Sequence, residues 1–281
     1  MSDEMNYTPI MVQIDALPPL PESVMKLEEL FTLGDPAPEK VVEVIETDPA
    51  LTVNILSQAN SAYYSFQREI VSIQQAYMLL GAARIRTMAL DFARNRVFDI
   101  DLSPYGLSTA AFAELCRLQS NLAFHWIMGV DMRRAKHLIP LAFLMETGKI
   151  LIAREVINQG RVEEFQKDLK EFASVGEVET LYTSMSTAQV NALVFKRWQL
   201  GETFTHCMQY LESDEQPPQE LLFDVQALRI IRSAINVREI LTEHACEKAL
   251  QLARKASLDP QKLESSLDRV RRKRAEMESG A

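Results

Sequence analysis

The side chains that most often perform catalysis or hold metals are few in this chain and widely spaced. Its four histidines, His125, His137, His206 and His244, lack the HxxxH spacing that would place two imidazoles on one face of a helix. We therefore interpret them as structural histidines. A replacement metal site could form only if His125 and His206 met in space near Glu146.

The cysteines give no stronger sign of chemistry. Cys116, Cys207 and Cys246 lie far apart and form no CxxC pair, so neither a thiolate zinc site nor a disulfide framework is indicated. Cys116 stands beside Arg117, which could activate a thiol, but a cysteine on an apolar helix face is more often inert. The chain also lacks GxSxG, GxxxxGK[ST] and GxGxxG motifs. No catalytic motif emerges.

The composition favours helices and a packed core. Of the 281 residues 47% are apolar, and only 9 glycines and 7% aromatics argue against a β architecture with many tight turns. Thirty basic against 39 acidic residues leave a net charge of -9, which repels phosphate backbones. The longest apolar run, 138–145, is far shorter than the roughly 20 residues that span a bilayer. We expect an all-α, cytoplasmic protein without nucleic acid or membrane as a partner.

Helical periodicity and capping signals divide the chain into helices. Asp48, which precedes a proline, predicts a helix start. Ser72 with Gln75, and Ser186 with Gln189, have the spacing of a capping box. Apolar residues at helical spacing continue between and beyond these starts. A further continuous helix is predicted over about 136–158.

Changes in composition predict the domain organisation. The stretch FDIDLSPYGLS mixes acidic residues with Ser, Pro and Gly, which is typical of a connector between two helical lobes. The predicted segments are an extension at 1–16 that lies flat on the domain, a first lobe at 17–97, the connector at 98–108, a second lobe at 109–258 and a C-terminal helix with a basic tail at 259–281.

The basic tail reads RVRRKR from Arg269 to Arg274 and carries five cations in six residues. Such a run can contact an acidic partner, RNA or an anionic lipid. We favour a solvated helix end whose cations lie near the negative pole of the helix dipole. Nucleic acid could bind if this tail acted together with other arginines, although the net charge argues against it. Those arginines are Arg84, Arg86, Arg94 and Arg96.

Three segments of the first lobe together resemble a known family. They read LPPLPESVMKLEEL, VIETDPALTVNILSQANSAYY and REIVSIQQAYMLLGAARIRTMAL. Their order and spacing, and the words DPALT, ANSAYY and LLG, resemble the start of the HD-related output domain (HDOD) family. The resemblance continues more weakly to about residue 212. It implies an all-helical fold in which an N-terminal lobe packs on a degenerate lobe of the HD-type phosphohydrolases. It also implies a non-enzymatic role in bacterial signal transduction.

The same resemblance locates the positions at which catalytic relatives hold a metal. FLMETGK at 143–149 matches LLHDIGK, so Met145 stands where a histidine ligand would be and Glu146 where the aspartate would be. The other positions at which the resemblance leads us to expect histidines are Gln119, Thr187, Leu211 and Glu212.

These replacements argue against a hydrolytic metal site. Iron, manganese and magnesium prefer imidazole and carboxylate ligands, whereas a thioether is soft and a neutral amide or hydroxyl binds weakly. We expect no metal, no cofactor and no catalysis, and we interpret the chain as a regulatory binding module. The alternative is an atypical metal-dependent phosphohydrolase or cyclic-nucleotide phosphodiesterase centred on Glu146. In that case Lys149 would hold a phosphate, although it could equally be a surface charge beside a packing turn.

Aromatic residues after ANSAYY predict a contact site for a protein partner. Tyr63, Tyr64 and Phe66, with Arg68 nearby, fall in a predicted loop, and aromatic side chains in loops often anchor interfaces. These rings could instead wedge the two lobes together, and we slightly favour that second interpretation. The sequence does not identify the partner.

Overall fold

The computed structural model describes residues 8–64 and 66–279, and within these ranges the fold is all helical. The only strand-like pairings there are two isolated bridges, Leu102 with Leu107 and Ile235 with Ile240. No helix in the described ranges is both long and apolar enough to cross a membrane. The predicted all-α class is confirmed.

The helices follow one another with short connections. The first part of the chain contains α1 (Pro9–Asp15), α2 (Glu22–Thr32), α3 (Pro38–Glu46), α4 (Pro49–Ala59), α5 (Ile73–Leu80) and α6 (Ala82–Val97). A 3-10 turn at Ser103–Tyr105 leads to α7 (Thr109–Ile127), α8 (Met132–Leu144), α9 (Gly148–Asn158), α10 (Val162–Glu171) and α11 (Val175–Thr183). The remainder consists of α12 (Thr187–Arg197), α13 (Glu202–Leu211), α14 (Gln219–Ala234), α15 (Glu243–Lys255) and α16 (Pro260–Ser279).

Most of the predicted helix starts are confirmed by their capping bonds. The Asp48 side chain accepts hydrogen bonds from the first backbone N–H groups of α4. Ser186 and Gln189 form a complete capping box at α12. At α5 only half of the box forms: Ser72 accepts from the Gln75 backbone N–H, whereas the Gln75 side chain accepts from Val71.

The N-terminal segment contains a helix that the sequence pattern did not reveal. Residues 1–7 lie outside the described ranges, and α1 follows directly, with Pro9 at its first position. Ile10 and Ile14 are buried, and α1 packs against α9 and α12. This part of the predicted extension is therefore a component of the core.

The predicted continuous helix over 136–158 is wrong, because the chain breaks between α8 and α9. At the break, α9 approaches α12 so closely that a Cβ on Gly148 would lie 2.6 Å from the backbone oxygen of Thr187. Asn191 of α12 bonds two backbone groups at the break: it donates to the oxygen of Met145 (2.6 Å) and accepts from the N–H of Gly148 (2.7 Å). The break is therefore stabilised by hydrogen bonds from the neighbouring helix.

The core is continuous across the predicted lobes. Buried apolar residues from α2 to α6 and from α7 to α16 belong to one cluster. Helix α6 packs on α2 and α4 as well as on α8, and so joins the two parts. Helix α16 packs on α7 and α15 and buries Leu263, Leu267 and Val270. The C-terminal helix is therefore part of the folded unit.

Candidate functional site

Glu146 lies in the break between α8 and α9 and is 1% exposed. Its carboxylate accepts hydrogen bonds from Arg232 Nε (2.9 Å) and from Gln119 Nε2 (3.1 Å). The Lys149 ammonium lies 3.2 Å from its second oxygen. A buried carboxylate needs such partners. At the break, Glu146 lies within reach of two cations, Arg232 and Lys149.

The Lys149 ammonium lies at the centre of this cluster and is also 1% exposed. Besides Glu146 it contacts Glu179 Oε1 at 2.6 Å and Thr187 Oγ1 at 3.0 Å. An ammonium carries three N–H donors, so three acceptors satisfy it. Lys149 is therefore an internal cation, and its interpretation as a surface charge is wrong.

Glu179 of α11 completes the surroundings of that cation. Its second oxygen accepts from the Thr187 backbone N–H (2.7 Å), while its first accepts from the hydroxyls of Thr187 (2.8 Å) and Tyr105 (2.9 Å). The Thr187 hydroxyl thus accepts from Lys149 and donates to Glu179. Every group in this part of the cluster is oriented by the others.

Arg232 of α14 connects the cluster to the surface. It pairs with Glu146 inside and with Glu212 outside. Of the two carboxylates that pair with Arg232, Glu212 is the outer one, and its side chain is 25% exposed. Glu212 also lines a wide surface depression between α11, α12 and the end of α13.

The cations hold these carboxylates in their charged form. Burial raises the pKa of the Glu146 carboxyl, but Arg232 and Lys149 outweigh it, so this pKa is below its ordinary value. Burial opposes ionisation of Glu212 as well, yet the same two cations lower its pKa to about 2. In return, Glu146 and Glu212 raise the pKa of Arg232 against the effect of burial. All three groups are charged at neutral pH.

The residues present do not fit the metal centre that the fold relatives imply. Lys149 lies among the carboxylates, and the Met145 backbone oxygen is taken by Asn191. Within the described ranges no group of three His, Cys, Asp or Glu side chains is arranged to hold a metal. His125, His206 and Glu146 accordingly form no such group. We call the assembly of Gln119, Glu146, Lys149, Glu179, Thr187, Glu212 and Arg232 the ion-pair cluster.

The comparison with protein families decides what this architecture is. Residues 17–213 match the HDOD domain family. The chain belongs to the HDOD family. The match covers the segments that carry the resemblance in the sequence and confirms it. No curated protein matches the sequence.

Solved structures of similar fold cover nearly the whole HDOD chain. A virulence factor from Campylobacter jejuni subsp. jejuni is 25% identical, with a TM-score of 0.58 over 92% of this chain and 93% of that one. An HDOD domain protein with unknown function from Geobacter sulfurreducens is 19% identical, with a TM-score of 0.67 over 94% and 93%. A proposed signal transduction protein from Marinobacter aquaeolei VT8 is 19% identical, with a TM-score of 0.72 over 95% and 60%. They support the helical HDOD fold.

The structure brings most of the degenerate positions of the HDOD chain together. Gln119, Glu146, Lys149, Thr187 and Glu212 are connected within the ion-pair cluster. Met145 and Leu211 are buried apolar residues of the core instead.

The candidate partner-binding residues of the HDOD chain form one aromatic group between α4 and α5. The Tyr63 and Tyr64 rings meet edge to face at 4.9 Å, and Tyr64 stacks on Phe66 at 6.1 Å. Tyr63 and Tyr64 are half-buried, while Phe66 and Arg68 are exposed. The Lys273 ammonium lies 4.1 Å from the centre of the Tyr63 ring. Tyr63 therefore packs between elements, whereas Phe66 and Arg68 face outward.

Other candidate groups are buried. Cys116 is buried, and burial raises the pKa of its thiol to about 11 although Arg94 opposes the shift. Arg94 pairs with Asp91, and Arg86 makes a two-bond ion pair with Glu28. Arg86 and Arg94 are 6% and 1% exposed, so neither is accessible to a nucleic acid.

Proposed function

We propose that the protein is a non-enzymatic regulatory module of the HDOD type that acts by contact with a protein partner. The observation that carries the proposal is the Lys149 ammonium, which lies among Glu146, Glu179 and Thr187 in the region where the catalytic relatives hold a metal. The cluster neutralises its carboxylates with side chains of the chain itself.

The physical reason is the cost of displacing that ammonium. A divalent cation bound between Glu146 and Glu179 would repel Lys149 and leave its N–H donors without acceptors in a buried site. Without a metal no bound water becomes acidic enough to attack a phosphate ester at neutral pH. These two effects together favour a structural role for the cluster.

Metal analysis combined with an activity screen tests the non-enzymatic part. The purified full chain is analysed for transition metals and assayed against nucleotides and cyclic dinucleotides. We expect no stoichiometric metal and no turnover. A stoichiometric metal, with turnover that Glu146→Gln abolishes, would instead establish the atypical phosphohydrolase centred on Glu146.

The loop that carries the aromatic group is well suited to present a contact surface. Asn60 closes it by bonding Ile70 twice: its amide donates to the Ile70 oxygen (2.8 Å), and its oxygen accepts from the Ile70 N–H (2.7 Å). A loop whose ends are fixed loses little conformational entropy on binding. Phe66, 38% exposed, and the exposed Arg68 are the side chains that it offers to a partner.

Partner capture from the native host tests this surface. Phe66→Ala should abolish capture of a partner that the unchanged chain retains, while its melting temperature stays the same because the ring is partly exposed. Phe172→Ala is the matched control, since Phe172 is 41% exposed on another part of the molecule. Undiminished capture by Phe66→Ala, or equal loss in both variants, would remove this loop from the interface. Tyr64→Ala adds the packing test: a lowered melting temperature indicates a wedge.

A further inference from the structure

A cleft adjoins the aromatic loop on the side that faces α7. One part of it, about 360 Å³, lies between α4, α6 and α7, and a second part, about 280 Å³, lies between α7 and α16. Tyr63, Arg117 and Asn121 line both parts, and we call the whole the loop cleft. The volume of the first part alone is within the range of small-molecule sites, which is about 300–1,000 Å³. It contains no residue of the ion-pair cluster.

The loop cleft is lined by more unpaired cations than unpaired carboxylates. Each of its carboxylates is already paired: Asp91 with Arg94, and Glu114 and Glu278 with Arg274.

By contrast, three of its cations, Arg84, Arg117 and Lys273, form no ion pair with any described residue. They come from three different helices, α6, α7 and α16. The cleft therefore has spare positive charge directed at one space, which favours an anion.

Aromatic rings hold two of these cations in place. The Arg84 guanidinium lies 3.8 Å from the centre of the Phe124 ring and 5.3 Å from that of Tyr64. The Lys273 ammonium lies over Tyr63. A guanidinium stacked by its face keeps the N–H groups along its edge available, and these match a phosphate in geometry. The edges of these rings, and the faces that the cations do not cover, can contact a planar group.

The neighbouring titratable groups respond to this excess of positive charge. Burial and then Arg269, Arg84 and Lys273 lower the pKa of His125 to about 4. Burial and then Arg84 and Arg269 lower the pKa of Lys273 itself. A bound anion would relieve the mutual repulsion of these cations.

We propose that the loop cleft binds a small phosphorylated ligand that carries a planar ring, the chemistry of a nucleotide. Arg84 and Arg117 bind the phosphate, and Tyr63 and the ring of Phe124 contact the planar group. The inference goes beyond the proposed function and does not depend on it, since it uses different residues from the ion-pair cluster. Because the ligand would contact the loop, α6, α7 and α16 together, its binding would stabilise the docking of α16.

Calorimetric titration of the full chain tests the proposal. The probes are AMP, GMP, CMP and UMP, the four corresponding nucleosides, and pyrophosphate. We expect at least one nucleotide to bind in the micromolar range, and its nucleoside and pyrophosphate to bind about tenfold more weakly or worse, since each lacks one half of the recognised chemistry.

Two variants and one control locate the binding. Arg117→Ala should weaken nucleotide binding about tenfold or more, and the exposed position of Arg117 keeps the fold intact. Lys273→Ala should also weaken it, whereas Arg272→Ala, an exposed neighbour on the same helix, should not. Bound nucleotide should also slow proteolysis of α16.

Three results would overturn the proposal. One is the absence of binding by all four nucleotides up to about 1 mM. Another is binding that Arg117→Ala and Lys273→Ala both leave unchanged. The third is binding of pyrophosphate as tight as that of the nucleotides, which would reduce the cleft to a site for simple anions.

Discussion

At the scale of single residues, the ion-pair cluster depends most on Lys149, since this side chain neutralises two buried carboxylates. Lys149→Met nearly keeps the length of the side chain and removes its charge, which leaves Glu146 with Arg232 and deprives Glu179 of the cation that lies within ion-pair distance of it. Removal of one partner from a buried pair costs about 3–5 kcal/mol. We expect a loss of that size in the free energy of unfolding, measured in urea.

A control variant distinguishes the effect of removing a buried lysine charge from the effect of removing an exposed one. Lys248→Met removes the same charge from an exposed site on α15 and should change stability by less than about 0.5 kcal/mol. Similar small losses in both variants would mean that the cluster takes up water or a proton readily, and that Lys149 is not a fixed internal cation.

The carboxylates of the cluster predict a dependence of stability on acid. The folded pKa of Glu212 is about 2 and that of Glu146 is also lowered, whereas in the unfolded chain both titrate near 4.5. A depressed folded pKa contributes stability above about pH 4.5 and loses it progressively as the pH falls towards 2. Glu212→Gln should therefore lose less stability than the unchanged chain between about pH 6 and pH 3.

Urea unfolding at the two pH values measures this difference. Glu247→Gln, an exposed position on α15, is the control and should keep the acid sensitivity of the unchanged chain. If Glu212→Gln were as acid-sensitive as this control, the pairing of Glu212 with Arg232 would contribute nothing to folding.

Sequence reasoning found five of the seven residues of the ion-pair cluster and missed two. The resemblance points to these five, Gln119, Glu146, Lys149, Thr187 and Glu212, because their positions follow the family pattern. Glu179 and Arg232 were missed because they carry no motif and lie on α11 and α14, which approach α9 only in the folded chain. A buried lysine does imply a carboxylate partner, but the sequence does not tell that Lys149 is buried.

At the scale of elements, the junction of α8 and α9 explains how the cluster is placed. Gly148→Ala would put a methyl group 2.6 Å from the Thr187 oxygen and 3.1 Å from the Val190 Cβ. Relief of that overlap must separate α9 from α12, which costs about 1–3 kcal/mol or more. We expect urea unfolding to show a loss of this size.

The control for this junction is Gly129→Ala. At Gly129 the nearest atom to an added Cβ is 3.6 Å away, so this variant should be neutral or slightly stabilising. Equal stability of the two variants would show that α9 can move from α12 without cost. In that case the junction would not fix the position of Glu146.

Whether an element could be predicted depends on how close in sequence the residues that determine it lie. The start of α4 at Asp48 and that of α12 at Ser186 were predicted because a capping bond forms within a few residues. The break at Gly148 was missed because its cause is the contact with Thr187 and Asn191, about 40 positions away. Helix α1 was missed because its few apolar residues are too short a pattern to establish a period.

At the scale of the whole molecule, the net charge of -9 conceals a local arrangement of cations. Arg86 and Arg94 are paired inside the protein, while Arg84, Arg117 and Lys273 gather at the loop cleft. The overall charge argues against long phosphate backbones, and the local charge favours a small anion. Both statements hold together because a cleft of a few hundred cubic ångströms admits only the small ligand.

The single core predicts that the two parts of the chain unfold together. Leu51 is fully buried in α4 of the first part, and Leu51→Ala should cost about 2–5 kcal/mol. Trp198 lies beyond residue 108 but donates to the Pro18 oxygen of the first part, so the experiment uses a Trp198→Phe background in which the fluorescence of Trp126 reports the second part. Because buried residues of both parts form one cluster, the fluorescence midpoint in urea should fall as far as the helical circular dichroism midpoint.

Leu33→Ala is the control for this experiment, since Leu33 is 87% exposed and its loss should leave both midpoints unchanged. A fluorescence midpoint that stayed fixed in Leu51→Ala while the dichroism shifted would mean that the first part unfolds on its own. The shared burial of α6 between α4 and α8 argues against that result, because the first part cannot open without exposing apolar residues of the second. If unfolding is cooperative, a partner bound at the loop between α4 and α5 would stabilise the whole protein and not only its first part.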